Sequence, residues 1–275
     1  MKFLFVSDIL TKLENAIRFK LPFCHVRFGD GGLKFLHAIL FKDQPQLSVI
    51  LKKEGIPFSK VLDIFYLWGK CARLADCIDT PEVYLNGSFW ERVKKENKPI
   101  NQTTKTKLQM WRYLYRQSEF DNEVFCNPES NYLMILRDLP LTIVDLMRKY
   151  KICIVTARPE VKAVLSNYGI KKVDIIPIVG QWQEHYNRCF KKVMKEISRT
   201  AKYYDFWIIS AGEIGRIYSG HIKECGGRSV DLGFVVDFWV DNQIHPRLLP
   251  FAVPSISSKL LLTLTWKGKK YLKNI

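Results

Sequence analysis

Three short groups of small and charged residues follow apolar runs of strand length, and their residue types suit phosphate binding. They read Arg-Phe-Gly-Asp-Gly-Gly at residues 27–32, Thr-Ala-Arg-Pro at 156–159 and Ser-Ala-Gly-Glu at 210–213. Small residues allow a ligand to approach the backbone closely, and the guanidinium fork of arginine matches phosphate oxygens. If the preceding strands are neighbours in one sheet, the groups share an edge and predict a nucleoside-diphosphate site.

Each group has an expected role in the predicted site. We expect Arg27 and Arg158 to neutralise the diphosphate, and Ser210 with the amides after it to contact phosphate oxygens. Asp30 would hold a divalent cation that bridges the phosphates, because hard oxygen ligands suit Mg²⁺ and Mn²⁺. The full predicted binding set is Arg27, Gly29, Asp30, Gly31, Thr156, Arg158, Ser210, Ala211, Gly212 and Glu213. The alternative is a set of structural turns without a ligand.

Strands that alternate with helices must position these groups. Apolar runs predict strands at residues 23–28, 152–155, 173–179, 206–209 and 230–236. Between the last two, apolar residues recur at helical spacing from Ile214 to Ile222, and Gly226 ends that helix. The alternation predicts an α/β fold with a Rossmann-like, largely parallel sheet and helices on both faces. In such sheets, ligands bind beyond the carboxyl ends of the strands.

Helical patterns dominate the rest of the N-terminal half. We expect one helix over about residues 8–19, a second after residue 33, and others within 44–135, where aromatic residues recur at helical spacing. We interpret residues 44–135 as a helical insertion on the acceptor side of the site. Because the sequence shows no repeat and no long linker, residues 1–275 are predicted to form a single domain. Residues 20–40 and 140–240 would carry the ligand site.

The charge balance of the chain favours anionic partners. Lys and Arg outnumber Asp and Glu by 43 to 27, which gives a net charge of +16. Such an excess attracts phosphorylated substrates and polyanions. The basic residues are scattered along the chain, whereas a dedicated nucleic-acid-binding protein more often concentrates them on one element. A non-catalytic polyanion-binding protein stays open as an alternative function.

Cysteine usage and the N-terminal sequence bear on the compartment. The seven cysteines are an odd number without a C-x-x-C pair, so neither a disulfide framework nor a zinc site is predicted. The apolar opening of the chain is too short for the apolar region of a signal peptide, and no stretch approaches the length of a membrane span. We therefore expect a cytoplasmic protein without a transmembrane segment.

Two stretches of the chain resemble the GT-D-type glycosyltransferases, a family with a Rossmann-like domain. The sequence RFGDGG at residues 27–32 looks like that family's R-[FY]-G-D-G-E. The sequence WIISAG at residues 207–212, a helix, two glycines and VDLG at residues 230–233 look like its strand, small-residue loop, helix and I-D-[IVL]-G ending. The resemblance covers roughly residues 20–40 and 140–240.

The resemblance implies transfer of a sugar from a nucleoside-diphosphate sugar, with a UDP-sugar preferred, to a hydroxyl of a glycan or glycoprotein acceptor. It also implies Mn²⁺ or Mg²⁺ at the carboxylates of the D-x-E motif. Here Gly32 stands where the family has the glutamate, so Asp30 is the only metal ligand carried over. Since one carboxylate alone makes a poor divalent site, we expect a weaker metal dependence than is usual in the family.

An inverting transfer needs a base for the acceptor hydroxyl, and a carboxylate is the usual choice. The family's ending continues G-H-x-D-x-E, whereas here Phe234 replaces the histidine and Asp237 is the nearest carboxylate. We expect Asp237 to be the base, followed by Asp231, Glu213 and Glu184. A methyltransferase that uses S-adenosylmethionine is the alternative enzyme, although the loop at residues 210–213 lacks repeated glycines.

Overall fold

The computed structural model of the chain describes residues 4–27, 30–79, 125–126, 134, 140–179 and 184–242. Within these residues, seven strands form one sheet, and every pair of neighbouring strands is parallel. The strands are β1 (Phe23–Arg27), β2 (Cys77–Asp79), β3 (Phe125–Cys126), β4 (Ile152–Thr156), β5 (Val173–Pro177), β6 (Phe206–Ser210) and β7 (Arg228–Asp231). Their order across the sheet is β3-β2-β1-β7-β6-β4-β5.

Nine α-helices lie within the same described residues. They are α1 (Val6–Arg18), α2 (Asp30–Leu40), α3 (Gln44–Glu54), α4 (Val61–Leu74), α5 (Ile143–Lys149), α6 (Val161–Asn167), α7 (Lys191–Thr200), α8 (Gly215–Glu224) and α9 (Val235–Asn242). A 3₁₀ turn (Phe58–Lys60) precedes α4, and a π-helical turn (Tyr186–Phe190) runs directly into α7. No helix among the described residues is both long enough and apolar enough to cross a membrane.

The helices cover both faces of the sheet, which confirms the predicted Rossmann-like α/β class. Successive residues of a strand point to opposite faces. Trp207 and Ile209 of β6 therefore pack on one side with α2, α3, α4, α7 and α8. Phe206 and Ile208 pack on the other side with α1, α5, α6 and α9. Since both faces are buried, β4 and β6 each begin with four consecutive apolar residues.

The predicted strand at residues 230–236 is wrong in its second half. Strand β7 ends at Asp231, and α9 begins at Val235. Gly233 breaks the run with a φ of +50°, a conformation that side chains disfavour. Val235, Val236 and Trp239 are then buried on one face of α9. A short apolar run does not distinguish a strand from a helix by itself, and here it contains the end of one and the start of the other.

The region interpreted as a helical insertion also contributes to the sheet. Its described part contains α3 and α4, as expected, but it continues into β2 and includes β3. Strand β2 pairs with β1, and β3 pairs with β2. With three and two residues, these strands are too short to show a periodic pattern. Any further helix expected between residues 80 and 124 lies outside the described residues.

Candidate functional site

The carboxyl ends of the parallel strands meet at one edge of the sheet, and most of the predicted site residues stand there. Arg27 pairs in register with Asp79, and Thr156 pairs with Ser210. Asp231, at the end of β7, is opposite Ile209 of β6. The sequence analysis required the strands that precede the three groups to be neighbours in one sheet, and this requirement is met only in part. Strands β4 and β6 are neighbours, whereas β7 separates β6 from β1.

Arg27 is held between a carboxylate and a glycine. Its Nε lies 3.5 Å from Oδ2 of Asp79, which is almost fully buried. On the other side, a Cβ atom on Gly233 would collide with Nη1 of Arg27. Glycine is favoured at this position by its positive φ, and the absence of a side chain leaves space for the observed position of the guanidinium. This explains the glycine that ends the VDLG sequence.

A second guanidinium, which the sequence did not single out, lies beside Arg27. Arg216 on α8 is buried, its Nε donates to the carbonyl oxygen of Arg27, and its Nη1 donates to the carboxylate of Glu213. Its guanidinium carbon lies 4.9 Å from the ring centroid of Trp68. Arg216 stands between two apolar positions of α8, so the periodicity that predicted the helix gave no sign of its role.

Asp231 completes this group of charges, which we call the arginine cluster: Arg27, Arg216, Asp79, Asp231 and Glu213. Asp231 is buried, and its Oδ1 accepts a hydrogen bond of 3.0 Å from the amide of Gly233. Burial raises its pKa, while the positive charges of Arg27 and Arg216 oppose the rise. The cluster holds two cations and three carboxyl groups, from the carboxyl ends of β1, β2 and β7, the loop after β6 and the first turn of α8.

The small-residue loop after β6 rests on a buried carboxyl group. Gly212 has a φ of +57°, and a Cβ atom there would lie 3.6 and 3.7 Å from the two carboxyl oxygens of Glu54. Glu54 ends α3 and has no exposed surface. Burial, followed by the nearby charge of Glu213, raises the pKa of Glu54 to about 8. Ser210 and Ala211 are buried as well.

A separate group of charges lies beyond β4. The Thr156 hydroxyl accepts a hydrogen bond of 3.1 Å from the amide of Arg158. The Arg158 side chain donates to Glu160 and to Asp241 of α9, at 2.8 and 2.7 Å. Asp237 is on the same helix. Burial raises its pKa, and the charge of Arg158 opposes the rise.

The two predicted arginines do not meet across one diphosphate. Strands β7 and β6 lie between β1 and β4, so Arg27 and Arg158 start from backbone positions three strand spacings apart, about 14 Å. Their side chains also pair with different partners, Asp79 for Arg27 and Asp241 for Arg158. Arg216 is the guanidinium that the structure brings to Arg27.

Two predicted site residues, Glu184 and Asp30, are not part of either group of charges described above. The Glu184 side chain is 63% exposed and lies 3.6 Å from Arg188, while the Glu184 backbone, at a φ of +67°, packs on Gly55. Next to it, His185 is buried with Nε2 2.9 Å from the Tyr218 hydroxyl. Asp30 is the first residue of α2, and its side chain is outside the described part of the chain, as is Gly29.

A buried group with metal-ligand chemistry lies next to the arginine cluster. His25 Nε2 and Cys126 Sγ lie 3.0 and 3.1 Å from the same oxygen, Oδ1 of Asp79. The three ligand atoms lie within 4.8 Å of one another. We call these residues the His-Asp-Cys group. The sequence gave no signal for it, because the group forms only when β1, β2 and β3 pair.

The donors present do not fit the Mn²⁺ or Mg²⁺ that the family resemblance implies. Both ions prefer oxygen ligands, usually carboxylates with waters and substrate phosphates. Gly32 offers no side-chain oxygen at the second motif position, and the His-Asp-Cys group supplies nitrogen and sulfur. We therefore assign no chemical step to either ion.

No protein-family model matches the chain, and neither a curated protein nor a solved structure is similar enough to be a match. The resemblance to the GT-D-type glycosyltransferases is thus carried by residues 27–32 and 207–233 alone. A functional proposal has to rest on those stretches, on the sheet edge that presents them, and on the charges of the arginine cluster.

Proposed function

We propose that the protein is a glycosyltransferase that binds a nucleoside-diphosphate sugar at the carboxyl edge of its sheet and transfers the sugar to an acceptor hydroxyl. The observation that supports this most directly is that Arg216 donates to the main-chain carbonyl oxygen of Arg27 and to Glu213 of the loop at residues 210–213, so that two arginines stand at this edge of the sheet. Paired arginines next to small residues at a strand-to-helix turn suit a diphosphate.

The arginine cluster would stabilise the leaving nucleoside diphosphate. Arg27 contacts Asp79 through Nε, and guanidinium has five N–H donors, so donors remain for phosphate oxygens. Arg216 is fixed by Glu213 and by the Arg27 carbonyl oxygen. Donors that are already oriented stabilise developing charge without reorganisation during the reaction. The N-terminus of α8, which starts at Gly215 directly after the loop, adds the positive end of a helix dipole.

The second group of charges, beyond β4, would serve the acceptor. A carboxylate with a raised pKa removes a proton more readily near neutral pH, and Asp237 is such a group. We propose Asp237 as the base, with Arg158 holding α9 through Asp241. The separation of about three strand spacings leaves room for the transferred sugar between diphosphate and base. Asp231, enclosed by the arginines, and Glu184, paired with Arg188, are less well placed.

The sugar donor, the acceptor and the cellular compartment complete the proposal. We propose a UDP-sugar as donor and a glycan or glycoprotein as acceptor. All seven cysteines are free, which suits a reducing compartment, and we propose the cytoplasm.

A thermal-shift screen followed by a transfer assay tests this function. A ligand that binds only the native state raises the melting temperature, so UDP, GDP, CDP and their sugars should include at least one that does. Release of free nucleoside diphosphate from that sugar, with a mixture of glycans as acceptors, should then be measurable. Stabilisation by S-adenosylmethionine alone would favour the methyltransferase instead. Binding to duplex DNA that falls steeply with salt, without any nucleotide effect, would favour the polyanion-binding protein.

A further inference from the structure

The His-Asp-Cys group brings three kinds of donor atom to one buried point. His25 Nε2 and Cys126 Sγ approach Oδ1 of Asp79 at 3.0 and 3.1 Å, and all three residues are almost fully buried. A catalytic Cys-His-Asp triad has the imidazole between the thiol and the carboxylate. These three residues do not form such a triad, because the carboxylate of Asp79 lies between the imidazole and the thiol. The arrangement is instead that of three ligands converging on a common position.

The donor set selects a class of metal. Imidazole nitrogen, thiolate sulfur and carboxylate oxygen together are typical ligands of Zn²⁺, whereas Mg²⁺ and Ca²⁺ prefer oxygen alone. Bond lengths of about 2.0–2.3 Å in a tetrahedral site place ligand atoms about 3.3–3.6 Å apart. The observed separations to Oδ1 of Asp79, 3.0 and 3.1 Å, need to open by only a few tenths of an ångström.

The group stands on neighbouring strands of the sheet, and its charges fit a divalent cation. The three residues come from three adjacent strands: Asp79 is opposite Cys126 in register, and His25 is two residues before Arg27, the residue of β1 opposite Asp79. A carboxylate and a thiolate together neutralise the two charges of Zn²⁺. The second oxygen of Asp79 faces Arg27 Nε at 3.5 Å, and such an outer partner orients a metal-bound carboxylate.

We propose that His25, Asp79 and Cys126 bind one Zn²⁺ ion, with the fourth ligand position open to water or to an oxygen of an anionic ligand. Three protein ligands with an open position are typical of zinc sites that take part in binding or catalysis, whereas structural sites have four. The sequence-based expectation of no zinc site came from the spacing of cysteines, whereas these ligands are 54 and 47 residues apart and lack a spacing motif. The proposal does not depend on the proposed sugar transfer.

Metal titration of the purified full-length protein tests the site. After removal of metal with a chelator, one equivalent of Zn²⁺ should bind per chain by mass spectrometry of metals, and it should raise the melting temperature. Co²⁺ in place of Zn²⁺ should give the thiolate-to-cobalt absorption band. Cys126→Ala should abolish that band and weaken Zn²⁺ binding by more than about ten-fold, the loss typical even of outer partners.

A matched control comes from another buried cysteine. Cys153 on β4 is as fully buried as Cys126 and lies on a strand outside the group, so Cys153→Ala should keep both the band and the affinity. If Cys126→Ala does not fold, Asp79→Asn and the wild-type titration decide the matter. A wild-type protein that shows no thiolate band with Co²⁺, or no rise in melting temperature with Zn²⁺, would overturn the proposal. In that case the three residues form a hydrogen-bonded network only.

Discussion

The carboxyl group of Glu54 gives the protein a stability that changes with pH, and Glu54→Gln should remove that change. Glu54 is fully buried below Gly212, and its pKa of about 8 is caused first by burial and then by Glu213, against the opposing charges of Lys53 and Arg216. In the unfolded chain the same group has an ordinary glutamate pKa of about 4.3. Between these values the native state binds a proton that the unfolded state has released.

The magnitude and sign follow from the two pKa values. A carboxyl group whose pKa is raised on folding contributes its full stabilisation below about pH 4, and loses it as the pH rises towards 8. The loss is about 1.4 kcal/mol per pH unit within that window. From pH 5 to pH 7 the group should therefore lower the free energy of unfolding by up to about 3 kcal/mol. Glutamine has a similar shape and does not titrate.

Urea unfolding of wild type and Glu54→Gln at pH 5, 6, 7 and 8 measures this difference. We expect the variant to gain on the wild type with each pH step, and to be the more stable protein at pH 7. Glu184→Gln is a suitable control, because Glu184 is 63% exposed and the same substitution there removes no buried carboxyl group. Parallel curves for wild type and Glu54→Gln would refute the assignment of a protonated, buried carboxyl group.

Three further changes test other parts of the molecule. Burial lowers the pKa of His185 to about 4, so the contribution of His185 to stability should fall by up to about 1.4 kcal/mol per pH unit from about pH 6.5 to 4, against the opposite trend from Glu54. Urea unfolding of His185→Asn should therefore show the variant gaining stability relative to the wild type as the pH falls through this range. Gly233→Ala should lower the free energy of unfolding by about 1–3 kcal/mol, and it should weaken nucleotide binding because the added Cβ displaces Arg27. Gly169→Ala is the control, because Gly169 has a φ of +81° and no atom within 4 Å. Unfolding of that control should show the cost of backbone strain, while calorimetry should show unchanged nucleotide binding. Asp237→Asn should lower sugar transfer by about a hundred-fold or more with donor affinity unchanged in calorimetry; near-normal turnover would move the role of base to Asp231 or Glu184.

The sequence predicted those parts of the fold that leave a long local signal. Strands β4 and β6 each begin with four apolar residues and end on a threonine or a serine, and both were predicted close to their observed bounds. The start of α9 was not predicted, because the apolar run at residues 230–236 contains the end of a strand, Gly233 and the start of a helix. Strands β2 and β3 were missed because runs of three and two residues have no periodicity.

The candidate site shows the same limit more strongly. Arg27 and the loop after β6 could be found because glycine and small residues mark them locally. His25, Asp79 and Cys126 come together only through pairing of strands that are far apart in the sequence. Arg216 is only three residues after Glu213, but the apolar pattern of the helix gave no indication that Arg216 belongs to the site. Contacts made by tertiary pairing leave no trace in the spacing of residues.

Calorimetric titration of the nucleoside diphosphate selected by the thermal-shift screen tests the central claim most directly. Arg27→Lys and Arg216→Lys keep the positive charge but lose the planar fork, and Arg188→Lys makes the same change at a side chain that is 64% exposed. Because a hydrogen bond to a charged group contributes about 1.5–3 kcal/mol, each of the first two variants should bind about ten-fold or more weakly, and Arg188→Lys should bind as the wild type does. Equal affinity in all four proteins would contradict a diphosphate site between Arg27 and Arg216.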